Sequence, residues 1–231
     1  MFRKHRNCKI ALLAIPLFVS VAFADDGAID RWANAVGGRE RISAIKSIYR
    51  EGTIEFAGTQ GTIKVWHTAD GKYRKEERIA SYSLIETFDG ENGASQQGDA
   101  PPHNMTQAES ELATSRRFAN ANAMFFAFFP ERRHGSVNTE ADGTIVLKPE
   151  GGIEWRVTLD PKTSLPTTMV HQEGKQTITV TLGSYETVDG VKFETEIHRS
   201  AGDPTRGAVI HFNKTVINST IDPTLFSLAT K

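Results

Sequence analysis

Residues Gln176 to Arg199 read QTITVTLGSYETVDGVKFETEIHR, and this run decides the fold. Thr177, Thr179 and Thr181 alternate with Ile178, Val180 and Leu182, the period of a strand with one wet face and one buried face. Asp189-Gly190 is a tight-turn pair, so Val191 to Arg199 returns as the neighbouring antiparallel strand. The same pattern extends outward in both directions. In Ile153 to Leu159, Ile153, Trp155, Val157 and Leu159 share one face, while Glu154, Arg156 and Thr158 share the other. Gly143 to Lys148, Leu165 to His171 and Ala208 to Ile217 are further strand candidates. Toward the N-terminus Ser47 to Ala57, Gly61 to His67, Lys72 to Ile79 and Tyr82 to Phe88 follow, separated by Gly58, Asp70-Gly71 and Asp89-Gly90.

Two segments depart from period two. Ile29, Trp32, Ala33 and Val36 follow helical spacing after Asp25 and Asp26, and Gly37-Gly38 ends the helix. A second turn covers Glu40 to Ile45. Between Pro101 and Pro130, Thr106 with Glu109 matches a capping box and Met105, Ala108 and Leu112 give one apolar stripe, so a mid-chain helix begins near residue 106 and runs, whole or broken, to Pro130. The sum is a mainly β, α+β chain: a half-open, curved antiparallel β-barrel of about ten strands, with N-terminal and mid-chain helices covering its concave face.

The 231 residues have 39% hydrophobic and 24% charged content and a formal charge of −1, values ordinary for a globular domain. Arg3, Lys4, Arg6 and Lys9 precede the apolar run Ile10 to Val19, and Ala22-Phe23-Ala24 supplies small residues before Asp25. Residues 1–24 therefore read as a cleaved secretory signal peptide, leaving a single domain at 25–231. The remainder carries 23 bases and 28 acids, which argues against a nucleic-acid partner. The one cysteine, Cys8, falls inside the leader, so the exported chain is expected to form no disulfide and no thiolate site. A bacterial periplasm fits this composition.

Catalytic and metal patterns are missing. The histidines form no HxxxH or HExxH spacing, although His198 and His211 could meet across a hairpin. No GxSxG elbow, Asp-Thr-Gly, GxGxxG or GxxxxGK[ST] run is present. The expectation is a non-catalytic protein without cofactor or metal. Two basic runs are further candidates, Lys72, Arg74, Lys75, Arg78 and Arg116, Arg117, Arg132, Arg133; in the first, Glu76 and Glu77 interleave as on a solvated strand face. Arg132-Arg133 lies beside an aromatic run where lipid head groups or an acidic partner could meet it.

That run, Met124-Phe125-Phe126-Ala127-Phe128-Phe129, is the positive signal. Its phenylalanines cover more than one helical face, so the segment is either core or the wall of a cavity for a greasy ligand. With Trp66, Trp155 and Phe193 assigned to the inner face of the sheet and the Trp32 helix across its mouth, the candidate cavity-lining set is Trp32, Val36, Trp66, Phe125, Phe126, Phe128, Phe129, Trp155 and Phe193.

The order of these parts resembles the LolA/LolB-like lipoprotein-carrier superfamily, in particular its periplasmic lipoprotein-sorting group. The resemblance rests on AIDRWANAVGG (28–38) with RISAIKSI (41–48), EGTIEFAG (51–58) and GTIKVWHTADGKYRKE (61–76). It continues through LDPKTSLPTTMVHQEGKQTITVTLGSYETVDGVKFETEI (159–197) and the closing Ile221-Asp222-Pro223-Thr224-Leu225-Phe226. It implies a half-open barrel with a helical lid and a cavity for the acyl chains of lipids or lipoproteins, in a monomer touching membranes only transiently. An envelope sensor or protein-interaction module with a filled core is the alternative on the same fold. The chain departs from the family at the hairpin between the second and third strands: true carriers have Arg-Pro there, and this chain has His67-Thr68-Ala69-Asp70-Gly71.

Overall fold

The computed structural model describes residues 27–116, 123–203 and 206–229. The expected signal peptide and the Asp25-Asp26 cap lie outside these residues. Thirteen strands form one antiparallel sheet: β1 (Ser47–Phe56), β2 (Thr59–Thr68), β3 (Tyr73–Ile79), β4 (Tyr82–Phe88), β5 (Gly93–Gln97), β6 (His103–Asn104), β7 (Gly135–Thr139), β8 (Ile145–Pro149), β9 (Trp155–Leu159), β10 (Pro166–Glu173), β11 (Gln176–Val188), β12 (Val191–Ala201) and β13 (Gly207–Ile217). The helices are α1 (Gly27–Ala35), α2 (Arg39–Ser43), α3 (Gln107–Arg116) and α4 (Ala123–Phe128).

The strand order is β6-β5-β4-β3-β2-β1-β13-β12-β11-β10-β9-β8-β7. Two meanders thus meet at the centre, where β1 pairs with β13 from Ile48↔Ile217 to Phe56↔Ala208. One meander ends at the β6 edge and the next begins at the opposite β7 edge. The chain between them has to cross the open side of the sheet, and α3 and α4 lie in that crossing. Curvature follows from contacts. Glu86 on β4 and Glu173 on β10 are seven strand spacings apart in the sheet, about 34 Å along it. Yet both bind Arg116 of α3, at 2.8 and 3.3 Å. The sheet is a half-barrel, open between β6 and β7.

The concave face holds the core. Ile48, Ile54, Ile63, Val65, Val157, Met169, Ile178, Val180, Ile197 and Phe212 point inward from successive strands, and α1, α2 and α4 pack onto them. Gly37 lets α1 dock on the β11–β12 turn: its φ is +127°, and a Cβ there would sit 2.3 Å from the Gly190 carbonyl oxygen. Lys192 N–H donates to the adjacent Val36 carbonyl at 2.9 Å.

Two expectations change. The strand count rises from about ten to thirteen, because β5 (GASQQ), β6 (HN) and β7 (GSVNT) carry no apolar alternation. They lie at or next to the edges, where strands need less burial. The apolar stripe of the mid-chain helical segment also shifts; the segment is described as α3 and α4, with 117–122 outside the described residues. The capping box exists, with Thr106 N–H donating to Glu109 Oε2 at 2.8 Å and Glu109 N–H to Thr106 Oγ1 at 3.3 Å. However, α3 buries Ala113, Thr114 and Ser115 rather than Ala108. Ser115 Oγ accepts the Ile153 N–H at 2.5 Å and so ties α3 to the start of β9.

Candidate functional site

Strand alternation sets which side chains meet inside the half-barrel. The β2–β3 and β3–β4 registers, Val65↔Lys75, Ile63↔Glu77 and Lys75↔Glu86, place Lys75, Glu77 and Glu86 on the same face as Ile63 and Val65. On the opposite wall His171 pairs with Trp155 and Ile178, and Arg199 pairs with Val180. Between the walls lies a cavity of about 90 Å³. Its floor is Ile63, Val65, Val180, Ile197, Ile210 and Phe212; its polar rim is Tyr73, Lys75, Glu77, Arg116, His171 and Arg199.

The rim is one connected ionic row. Lys75 Nζ lies 3.1 Å from Glu77 and 2.8 Å from Glu86. Arg116 joins Glu86 to Glu173, and Arg199 Nη2 reaches Glu173 Oε1 at 2.8 Å. His171 Nε2 sits 2.9 Å from that same oxygen. Burial works against the Glu86 carboxylate, but Lys75 and Arg116 outweigh it and hold its pKa below the ordinary range. The His171 hydrogen bond, with Arg199 and Arg116, brings the Glu173 pKa down to about 2 against burial. Burial lowers the His171 pKa despite the pull of Glu173, so the neutral ring donates Nε2–H to that carboxylate. His171 Nδ1 then carries the lone pair. Neither that nitrogen nor Trp155 Nε1 has a hydrogen-bond partner among the described residues. The two rings stack with centroids 3.8 Å apart.

Deeper in the core, Arg50 is 1% exposed. Its guanidinium binds Glu194 Oε1 at 2.5 Å, also donates to the Glu194 carbonyl, and lies 3.8 Å over the Phe212 ring. Burial, with Arg50 nearby, pushes the His67 pKa down to about 3. These groups serve the core.

The aromatic run goes mostly into the core. Phe126, Phe128 and Phe129 are 1, 1 and 7% exposed. Phe128 meets Trp32 edge to face at 4.9 Å, and its carbonyl accepts from Arg39. Phe125 is half-buried and borders, with Phe126 and Phe129, an open cleft of about 540 Å³ against the Ala69–Gly71 turn, Arg132, Arg133 and His134. Arg133 donates to the Phe126 and Ala127 carbonyls, closing the C-terminus of α4, while Arg132 covers the Phe129 ring. Trp32 and Val36 border a void of about 20 Å³ beside Met124 and Met169, and Phe193 is buried in the core.

Of the nine expected cavity residues, the structure brings Trp155 to the central cavity. Trp66 is a correction. It alternates with the inward Val65 and His67, so it lies on the convex face, stacked on Tyr49 at 5.1 Å. Lys75 is a second correction, since it points inward rather than lying on a solvated face. His198 stands opposite Val209, and His211 opposite Glu196, so the two histidines are not paired. Sequence reasoning missed Glu173 and Arg199 and took Arg116 only as part of a basic run with Arg117, Arg132 and Arg133. A signal existed for Lys75 and Glu77, which share the Tyr73/Ile79 phase of β3. Among the described residues no group of three or more His, Cys, Asp or Glu could hold a metal ion, and no helix is long and apolar enough to cross a membrane.

No family model and no curated protein matches the chain. Solved structures do. A DUF1329 family protein from Desulfovibrio piger superposes with a TM-score of 0.54 at 10% identity, covering 87% of this chain and 96% of its own. A LolA superfamily protein from Nitrosomonas europaea superposes with a TM-score of 0.53 at 11% identity, covering 90% of this chain and 99% of its own. At such identities the likeness speaks for the backbone, and it agrees with the resemblance in the sequence: the chain has a LolA-like fold.

Proposed function

We propose that this protein is an exported, non-catalytic binding protein of the bacterial envelope, periplasmic in location, that holds the apolar chain of a lipid or lipidated polypeptide between its sheet and its helical cover. The observation that carries the reading is the concave face itself. It is apolar from β2 to β13 to β9, it is closed by helices and not by a second sheet, and it opens onto a cavity with an ionic rim. Each methylene moved from water onto such a face is worth about 0.8 kcal/mol, so a single acyl chain binds without covalent chemistry.

The structure is the closed state in this reading. The central cavity, at about 90 Å³, is smaller than the roughly 150 Å³ cavity that takes up a benzene-sized molecule, so an acyl chain does not fit it as it stands. Admission of a chain displaces α4, a six-residue plug whose rings occupy the remaining space. The near-complete burial of Phe126 and Phe128 also favours a second reading, an envelope interaction module with a permanently filled core.

Lipid mass spectrometry on the protein purified from a bacterial periplasm separates the two. Carriage predicts a stoichiometric lipid, or uptake of one when the purified protein is mixed with lipid vesicles. A protein that is empty and takes up nothing contradicts carriage and leaves the interaction module.

A further inference from the structure

The two edges of the sheet are not alike. β6 is two residues long and follows Pro101 and Pro102, which have no N–H to offer, so that edge is blunted. β7 is a five-residue edge, Gly135-Ser136-Val137-Asn138-Thr139, with no charge, proline or bulge to protect it. Its register on β8 is uninterrupted from Gly135↔Pro149 to Thr139↔Ile145. At its two ends Glu150 N–H donates to the His134 carbonyl and Glu140 N–H to the Thr144 carbonyl, both at 2.9 Å. Even-numbered residues therefore turn their backbone groups to β8. Gly135, Val137 and Thr139 turn theirs outward, where no strand among the described residues pairs with them. Gly135, Ser136 and Asn138 are exposed, and the half-buried Val137 packs against the core.

We infer that β7 is a self-association edge, at which two copies of this chain pair β7 with β7, antiparallel, about a two-fold axis at Val137. In that register Val137 exchanges both backbone bonds with Val137 of the second copy, and Gly135 does so with Thr139 of the second copy. Charge names the occupant. Arg132 and His134 stand before the strand and Glu140 and Asp142 after it, all four exposed. An antiparallel occupant must bring acids to the first flank and bases to the second, and β7 itself has that order. Arg132 then faces Asp142 of the second copy, His134 faces Glu140, Ser136 faces Asn138, and no like charges meet. Arg132 also has Glu131 at 3.5 Å and Glu140 also binds Arg156, but both pairs lie open to solvent, where a further charge can join. Sliding the strands by two residues either way leaves outward backbone groups unpaired and separates these charges. Because the two Val137 side chains share one face of the pair, both concave faces lie on the same side of the joined sheet. A five-residue strand pair buries less than the roughly 1,200 Å² of a stable interface, so the dimer is weak and forms at high concentration. The inference goes beyond the amphiphile reading and does not depend on it, and it departs from the monomer that the family resemblance implies.

Sedimentation equilibrium of a protein of residues 25–231 from about 10 µM to about 1 mM is the test. The expected result is a mass rising toward that of a dimer, with a dissociation constant on the order of 100 µM. Ser136→Lys with Asn138→Lys, both at exposed positions, sets lysine against lysine across the axis. It is expected to weaken the dimer about tenfold or more while the fold stays. Arg132→Asp is expected to weaken it about threefold, and Asp142→Arg added to it to restore the parent value. Amide hydrogen exchange on the unmutated protein needs no variant. The Val137 and Thr139 N–H groups are expected to slow several-fold between the two concentrations, whereas those of Ser136 and Asn138, already turned to β8, stay the same. A monomer at about 1 mM, with unchanged exchange at Val137 and Thr139, overturns the inference. So does a dimer that the two lysines leave intact. Either result leaves the reading of lipid carriage untouched.

Discussion

The helical crossing over the open half-barrel has two ends of opposite character. Under α4, Phe126 and Phe128 are buried in the core, Phe128 edge to face against Trp32. Under α3, Arg116 meets Glu86 and Glu173, and a small cavity stays open above an apolar floor. The most hydrophobic segment is thus the least available to a ligand as the protein stands. The charged end supplies the chemistry that could discriminate among ligands. Hydrophobicity marks the plug; charges placed in the apolar phase of a strand mark the rim.

The sharpest test of this contrast compares two neighbours in α4. Phe128→Asp is expected to abolish cooperative unfolding, because it removes a buried ring worth about 3–5 kcal/mol and inserts an unpaired charge. Phe125→Asp, at a half-buried position bordering the open cleft, is expected to fold with a melting temperature near that of the parent. Equal effects in thermal denaturation would break the distinction between plug and cleft.

Next in size is the buried pair. Glu194→Ala leaves the Arg50 charge without its carboxylate and is expected to cost about 3–5 kcal/mol in urea unfolding. A loss below about 1 kcal/mol would show that Arg50 finds water.

Acid titration separates His67 from Glu173 by their windows. The His67 pKa is about 3 in the fold against 6.5 ordinarily, so below pH 6.5 the unfolded chain binds the extra proton. Its contribution is intact above pH 6.5 and declines toward pH 3, by at most about 1.4 kcal/mol per pH unit. The Glu173 pKa is about 2 against 4.5, so its contribution is intact above pH 4.5 and declines toward pH 2. Chemical denaturation as a function of pH is expected to show His67→Phe flattening the first window and Glu173→Gln the second. The smallest effect belongs to Arg199→Gln, at the exposed end of the row, expected to cost less than about 1 kcal/mol. A larger loss would make the row a stabilising element as well as a rim.

Much of the fold was legible because alternation is a local signal. Thr177 to Leu182 needed nothing but their own neighbours to declare a strand with one buried face. The edge strands were not legible, since GASQQ and GSVNT pair through their backbones and carry no apolar alternation. The candidate site was legible only in part. Trp155 follows from its phase in β9, but Trp66 was misplaced because an aromatic was assumed to face inward, whereas its phase in β2 sets it opposite Val65 and His67. Arg116 and Glu173 lie 57 residues apart and meet only because the sheet curls, a long-range fact that no window of sequence contains.

The central claim is that the α4 plug yields to an amphiphile chain. It is tested most directly by a reversible lock, an engineered disulfide joining α1 to α4 in a protein of residues 25–231, which contain no cysteine. The account predicts that the oxidised protein takes up no lipid and the reduced protein takes up one equivalent. Equal uptake in both forms, or uptake in neither, contradicts it.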